Sequence, residues 1–189
     1  LVRRITSRGV DLNKIDLINN LSRQVQAQSM TIDELNTELI NISQSDRYSA
    51  ALTLFSSCAA AGCFALMFGG NIKDFFAAFI IGACIKIVSI ICQKLDINSF
   101  FINSLGGGLC AILAIILMKL NICANLDKTI IGSIMLLVPG LTITNAIRDT
   151  IAGDLLSGIT KAAEAFLVAI SIAVGTGAIL SLFLNTIQS

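Results

Sequence analysis

The chain has 189 residues, of which 55% are hydrophobic and 13% charged, with a formal net charge of +1 and a mean hydropathy of +0.84. A soluble globular domain has about a quarter of its residues charged, so this composition describes an integral membrane protein, and its near-neutral charge suggests neither a nucleic-acid nor an acidic partner. The six cysteines, Cys58, Cys63, Cys84, Cys92, Cys110 and Cys123, lie in or beside apolar runs, with no C-x-x-C pair and no histidine in the chain. They read as small packing residues rather than disulfide partners or zinc ligands, and no cofactor is expected.

The first residues, LVRRITSRGV, lack the apolar core of a signal peptide. Leu1 is not a start methionine, so the chain reads as a fragment whose natural N-terminus lies upstream. From Leu1 to Arg47 six basic and six acidic residues alternate with periodic apolar ones, which predicts a soluble or interfacial helical segment over 1–47 ahead of a membrane domain over 48–189. LVRRIT reads as a strand end. Asp11 is placed to cap a helix with Ile15, Ile18, Leu21 and Val25 on one face. Thr31 and Glu34 form a capping box for a second helix carrying Ile32, Leu35, Leu39 and Ile42, with Met30 and Leu35 at the staple positions.

Five membrane spans follow, Ser49 to Phe68, Phe75 to Cys92, Ser99 to Leu120, Thr129 to Ile147 and Leu155 to Leu184, each near the roughly 20 residues that cross about 30 Å of hydrocarbon. The expected fold is an all-α integral membrane protein with five transmembrane helices. Gly69-Gly70-Asn71, QKLDIN and NICANLD supply turns, whereas the fourth connection has only Gly153 as a signal. With the N-terminus cytoplasmic, that side holds Arg47, Lys86, Lys94, Arg148 and Lys161 against Lys73, Lys119 and Lys128 opposite, so the basic excess favours N-inside in a multi-pass protein of the cell membrane. Lys86 reads as a snorkelling lysine and Asp74 as a hairpin-end charge.

The segment Leu136 to Gly158, LLVPGLTITNAIRDTIAGDLLSG, places a helix breaker and a cluster of charges between two hydrophobic spans, where ionisable groups are costly and commonly functional. Pro139 removes a backbone hydrogen bond and clashes with the carbonyl at Met135, and Gly140 relaxes the chain further. A discontinuous helix there would offer a half-helix N-terminus to a carboxylate, with Thr142 and Thr144 adding hydroxyls; a plain proline kink is the alternative. Asn145, Arg148 and Asp149 share one helical arc. The arginine suits a substrate carboxylate and Asp149 an ammonium group or a proton, or both residues lie at the membrane surface. Asp154, Ser157, Lys161 and Glu164 make a second polar face, on which Lys161 is placed to pair with Ser157 or Glu164 in its own helix. Asp154 and Glu164 are the candidate proton-coupling carboxylates. Gly158, Ala162, Ala165, Ala169, Ala173 and Gly177 form a small-residue stripe that reads as a packing seam, as does Gly106-Gly107-Gly108.

These residues carry a family resemblance. LLVPGLTITNAIRDTIAGDLLSGITKAAEAFLVAISIAVGTG resembles the signature of the N-terminal half of the ThrE-type threonine/serine exporters, roughly LvPG, N-x-x-R-D, G-D-x-x-S-G, a basic residue, E-A and a late A-x-G. FGGNIKD and LSRQVQAQSMTIDELNTELINI extend it over almost the whole chain. The resemblance implies secondary export of small polar amino acids, or of a dicarboxylate such as succinate in a two-subunit branch, and a companion membrane subunit, because the chain ends after its fifth span. It carries Pro139, Gly140, Asn145, Arg148, Asp149, Gly153, Asp154, Ser157, Gly158 and Glu164 as family motif. Lys161 departs from the more usual arginine, and the family's upstream soluble region is absent from this chain.

The reading that results is a transport subunit whose substrate-binding candidates are Pro139, Gly140, Thr144, Asn145, Arg148, Asp149 and Ser157, with the lipid bilayer, a small carboxylate-bearing substrate, a companion subunit or a second copy as partners. Two other classes compete. One is a non-transporting membrane scaffold, equally served by the small-residue stripe; the other is an intramembrane hydrolase built on Ser157, weakened by the absence of histidine and of a G-x-S-x-G turn.

Overall fold

The computed structural model describes residues 11–27, 30–44, 49–95 and 97–188. Every regular element among them is helical: α1 (Leu12–Ala27), α2 (Ile32–Gln44), α3 (Ala50–Met67), α4 (Ile72–Lys94), α5 (Ser99–Lys119), α6 (Leu126–Ile134), α7 (Gly140–Ile151) and α8 (Leu155–Gln188). The expected strand at LVRRIT, and Arg47, lie outside the described residues. The chain divides into two compact units, Leu1–Tyr48 and Ser49–Ser189.

The first unit is a pair of short helices set by their caps. Asp11 accepts the Lys14 N–H at 3.1 Å, and the Lys14 ammonium reaches the Ser43 carbonyl at 2.6 Å, tying the start of α1 to the end of α2. Thr31 and Glu34 form the expected capping box, with Thr31 N–H donating to the Glu34 carboxylate at 2.9 Å and Glu34 N–H to the Thr31 hydroxyl at 3.4 Å. The Thr31 backbone N–H, and then its hydroxyl, hold Glu34 below the usual carboxylate range. A depressed carboxylate contributes stability above its unfolded value and loses it as the pH falls through the folded one. Leu21 is buried, whereas Ile15, Ile18 and Val25 of the same expected face stay exposed.

Four helices of the second unit are long and apolar enough to cross a membrane: Ala50–Met67, Ile72–Lys94, Ser99–Lys119 and the Leu155–Asn185 part of α8. The chain is therefore a multi-pass helical membrane protein. The remaining expected span, Thr129 to Ile147, is divided between α6, of nine residues, and α7, of twelve. At 1.5 Å per residue these reach about 13 and 18 Å, so neither crosses about 30 Å alone. The division follows from Pro139. Its ring cannot continue the α6 hydrogen-bond ladder, and the chain instead makes an inverse γ-turn with Pro139 at φ −80°, ψ 61° and Gly140 N–H bonded to the Val138 carbonyl at 2.9 Å.

Three helices end in the same way. Gly69 and Gly153, at φ +85° and +91°, and Asn121, at φ +58°, each take the left-handed conformation that closes a Schellman motif. After α7, Asp154 N–H bonds the Asp149 carbonyl and Gly153 N–H the Thr150 carbonyl. The fourth connection, with its single glycine, is thus as sharply turned as the first.

Packing is closest where side chains are smallest. Gly132 of α6 lies so near the Ala65 backbone of α3 that a Cβ there would come within 2.5 Å of the Ala65 nitrogen. Leu136, just beyond α6, packs on the buried trio Ala61, Ala65 and Ala78, and Leu137 lies over Gly106. The glycine triplet is the expected seam, with Gly107 against Ile172 and Thr176 and Gly108 against Gly175 of α8. The stripe of small residues on α8 is not one seam. Gly158 packs against α7 and Ala165 is buried, while Ala162, Ala169, Ala173 and Gly177 are exposed, and the face α8 turns to α5 carries Ile172, Gly175 and Thr176.

The best-bonded polar group of the membrane unit is Asp74. It completes a capping box with Asn71 at the start of α4 and is fully buried. Its Oδ1 accepts the N–H groups of Ala124 and Asn125, each at 2.8 Å, and the Thr129 hydroxyl at 3.5 Å; its Oδ2 accepts Asn71 N–H at 2.9 Å and Asn125 Nδ2 at 2.8 Å. Asp74 is therefore far more than a hairpin-end charge, since it fastens the α3–α4 hairpin to the turn between α5 and α6. Asp74→Ala would strand these donors. Removing one partner from a buried charged network costs about 3–5 kcal/mol, so a fall of about 10 °C in the thermal midpoint in detergent is expected, with Asp74→Asn falling less.

Candidate functional site

The charged residues flanking the α7–α8 turn meet across that turn rather than along either helix. α7 packs chiefly on α8, antiparallel to its first turns, and the contact depends on Gly158, where a Cβ would lie 2.2 Å from the Thr150 hydroxyl and 3.1 Å from the Ala146 carbonyl. Ala146 is buried beneath the pair and Thr150 bonds back to its carbonyl at 2.8 Å. This close approach brings Asp149 of α7 to Ser157 and Lys161 of α8.

Asp149 is the centre of the cluster. Its Oδ2 accepts the Ser157 hydroxyl at 3.1 Å and the Lys161 ammonium. Its Oδ1 lies 3.7 Å from Nε of Arg148. Asp149 is only 16% exposed, whereas Arg148 is 72% exposed, so the guanidinium faces outward with most of its donors in reach of a ligand. Lys161 therefore pairs across the hairpin, with a carboxylate that its spacing within α8 did not suggest. Sequence spacing records only intrahelical neighbours; the Gly153 turn and the missing Cβ at Gly158 were the signals for the interhelical one.

The other candidates are placed around this cluster. Asp154 accepts Ser157 N–H at 3.2 Å and so caps α8. Asn145 is half-buried one turn before Asp149 on the face toward α8. Thr144 donates to the Gly140 carbonyl at 2.9 Å and is exposed with Gly140 on the row that leads to Arg148. Pro139 and Gly140 begin α7 nine residues from Asp149, about 13 Å along the helix, so the break and the charged cluster are opposite ends of one element. Glu164 lies exposed on α8, three residues beyond Lys161. Ser157 and Lys161 share the Asp149 carboxylate as two donors.

The level of this cluster follows from α8. That helix has 34 residues, about 51 Å, and Ala165 to Leu184 is free of charged residues and of bilayer length. Gly107 meets Ile172, Gly108 meets Gly175 and Ile179, and Lys119 lies 5.7 Å from the Phe183 ring, so α5 and α8 run parallel. The stretch with Asp154, Ser157 and Lys161 precedes this run and therefore lies toward the side where α5 begins and α4 ends.

A helix broken at a proline is a feature that secondary transporters use, and here its outgoing half, α7, carries the arginine–carboxylate–hydroxyl cluster at its far end. The family model described as "Putative threonine/serine exporter", ThrE, matches residues 1–183, and the chain belongs to this family. No curated protein and no solved structure matches the chain.

Two glycines of α8 separate packing from mere helix content. Gly158→Ala is expected to cost about 1–3 kcal/mol through overpacking against Thr150. Gly177→Ala, where a Cβ meets nothing within 4 Å, should be neutral or stabilising by up to about 1 kcal/mol. Thermal denaturation of both variants in one detergent checks the contrast.

Proposed function

We propose that the chain is one membrane half of an exporter for small polar amino acids such as threonine and serine, loading substrate at the α7–α8 hairpin from the cytoplasmic side of the cell membrane. The observation that supports this most is the convergence of Arg148, Asp149 and Ser157, which offers a guanidinium to a carboxylate, a carboxylate to an ammonium group and a hydroxyl partner within one hairpin. The α6–Pro139–α7 segment would make the fourth of five crossings as a broken helix, a device that transporters use. Pro139, Gly140, Thr144 and Asn145 then line the path from the break to the cluster. The side on which α5 begins is also where α3 begins, and the charge distribution favours that side as cytoplasmic.

Arg148→Lys is expected to lower threonine counterflow in proteoliposomes at least tenfold with the thermal midpoint little changed, because a point charge does not reproduce a planar two-point contact with a carboxylate. Wild-type flux in this variant would place Arg148 at the headgroups and sink the assignment.

Coupling to protons is assigned to Asp154 or Glu164, the carboxylates that flank the cluster on α8. Asp154→Asn or Glu164→Gln should leave counterflow but remove accumulation driven by a pH gradient. Gradient-driven accumulation that survives in both amides would move the coupling group elsewhere.

A companion membrane subunit completes the proposal. Exposed Ala162, Ala169, Ala173 and Gly177 offer another helix a close approach. Purification from detergent-solubilised native membranes should yield the chain with a second small membrane protein, and a purely homomeric particle would contradict this.

A further inference from the structure

On Asp149 two donors of the chain itself converge, the hydroxyl of Ser157 and the ammonium of Lys161, both on Oδ2. A β-hydroxy-α-amino acid carries the same two donors together with a carboxylate. The exposed Arg148 guanidinium, with Nε 3.7 Å from the other Asp149 oxygen, is placed to take that carboxylate. The two donors on Asp149 are thus of the same kinds as those of a β-hydroxy-α-amino acid.

We propose that Lys161 is a built-in stand-in for the substrate's ammonium group, displaced from Asp149 when a zwitterionic amino acid binds with its carboxylate on Arg148. The inference rests on the α7–α8 hairpin being the substrate site, and it narrows the substrate class. A zwitterion exchanges one ammonium for another, so Asp149 never loses its counter-charge. A dicarboxylate has no group to replace Lys161 on Asp149 and meets that carboxylate as a like charge. Exchange is feasible because the Lys161 side chain is 36% exposed on a flexible four-carbon stem, and ion pairs at such exposure are weak. The released ammonium has Glu164 three residues along the same helix, at the spacing that pairs charges.

A stand-in lowers apparent affinity, because only the fraction of molecules with Asp149 vacated binds substrate. Lys161→Met removes the competitor, so the KM for L-threonine counterflow should fall by about three- to tenfold, while Lys161→Arg, which keeps the charge and grips a carboxylate more firmly, should raise it. Loss of a merely structural tie would raise KM or reduce the maximal rate, so the direction of the change discriminates. The assay uses proteoliposomes made from membranes that contain the complete transporter, with thermal denaturation of each variant alongside. Lys161→Gln, a weaker donor, should give a smaller fall in KM and serves where the methionine variant does not fold; failure of both to fold makes Lys161 a structural strut and overturns the proposal. An unchanged or raised KM in Lys161→Met, with wild-type threonine flux intact and Arg148→Lys defective, overturns the stand-in alone. Wild-type vesicles that exchange succinate and no amino acid overturn both it and the substrate reading beneath it.

Discussion

One buried carboxylate decides where the broken helix begins. Asp74 is at once the capping residue of α4 and the acceptor for the backbone of Ala124 and Asn125 and the side chains of Asn125 and Thr129, so the entry into α6 is fixed against the α3–α4 hairpin. An ionised group without water is tolerable only when its lone pairs are filled, and here five donors fill them. From that point α6 has nine residues before the chain must turn. Gly132, Leu136 and Leu137 then hold the turn among α3, α4 and α5, because the facing positions, Ala65, Gly82 and Gly106, are small.

The break and the hairpin that follows are consequences of being held at one end. Pro139 ends one ladder and starts another, so α7 leaves the packed interior of the bundle and takes α8 as its main partner. A helix with one neighbour can carry charge on its other faces at little cost, and α7 does so with Arg148 exposed and Asp149 partly covered by Ser157 and Lys161. The densest polar bonding is gathered near Asp74, and the groups proposed to meet a substrate are gathered at the opposite end of the broken segment.

Much of this was legible in the residues. The capping box at Thr31, the turn at Gly69, the interruption at Pro139 and the close packing of the glycine triplet all rest on local chemistry, which a sequence states directly. What sequence did not give was partnership between elements. Asp74 looked like a loop-end charge because its donors come from 50 residues further on. Lys161 had acceptable partners in its own helix, so nothing pointed to Asp149 until the hairpin closed. The small-residue stripe was read by period alone, yet α8 turns a neighbouring face, with Gly175 and Thr176, toward α5. The break at Pro139 is legible from its chemistry, whereas the division of the fourth span into helices of nine and twelve residues depends on where neighbouring elements hold its two ends.

The central claim is that substrate acts on the α7–α8 hairpin while the Asp74 end of the bundle stays fixed. Hydrogen exchange of the reconstituted transporter, with and without saturating L-threonine, tests it most directly. The expected result is slowed exchange concentrated in residues 140–164, with the turn at 121–126 well protected in both states. Substrate-dependent protection confined to other segments, with 140–164 unchanged, would contradict the claim.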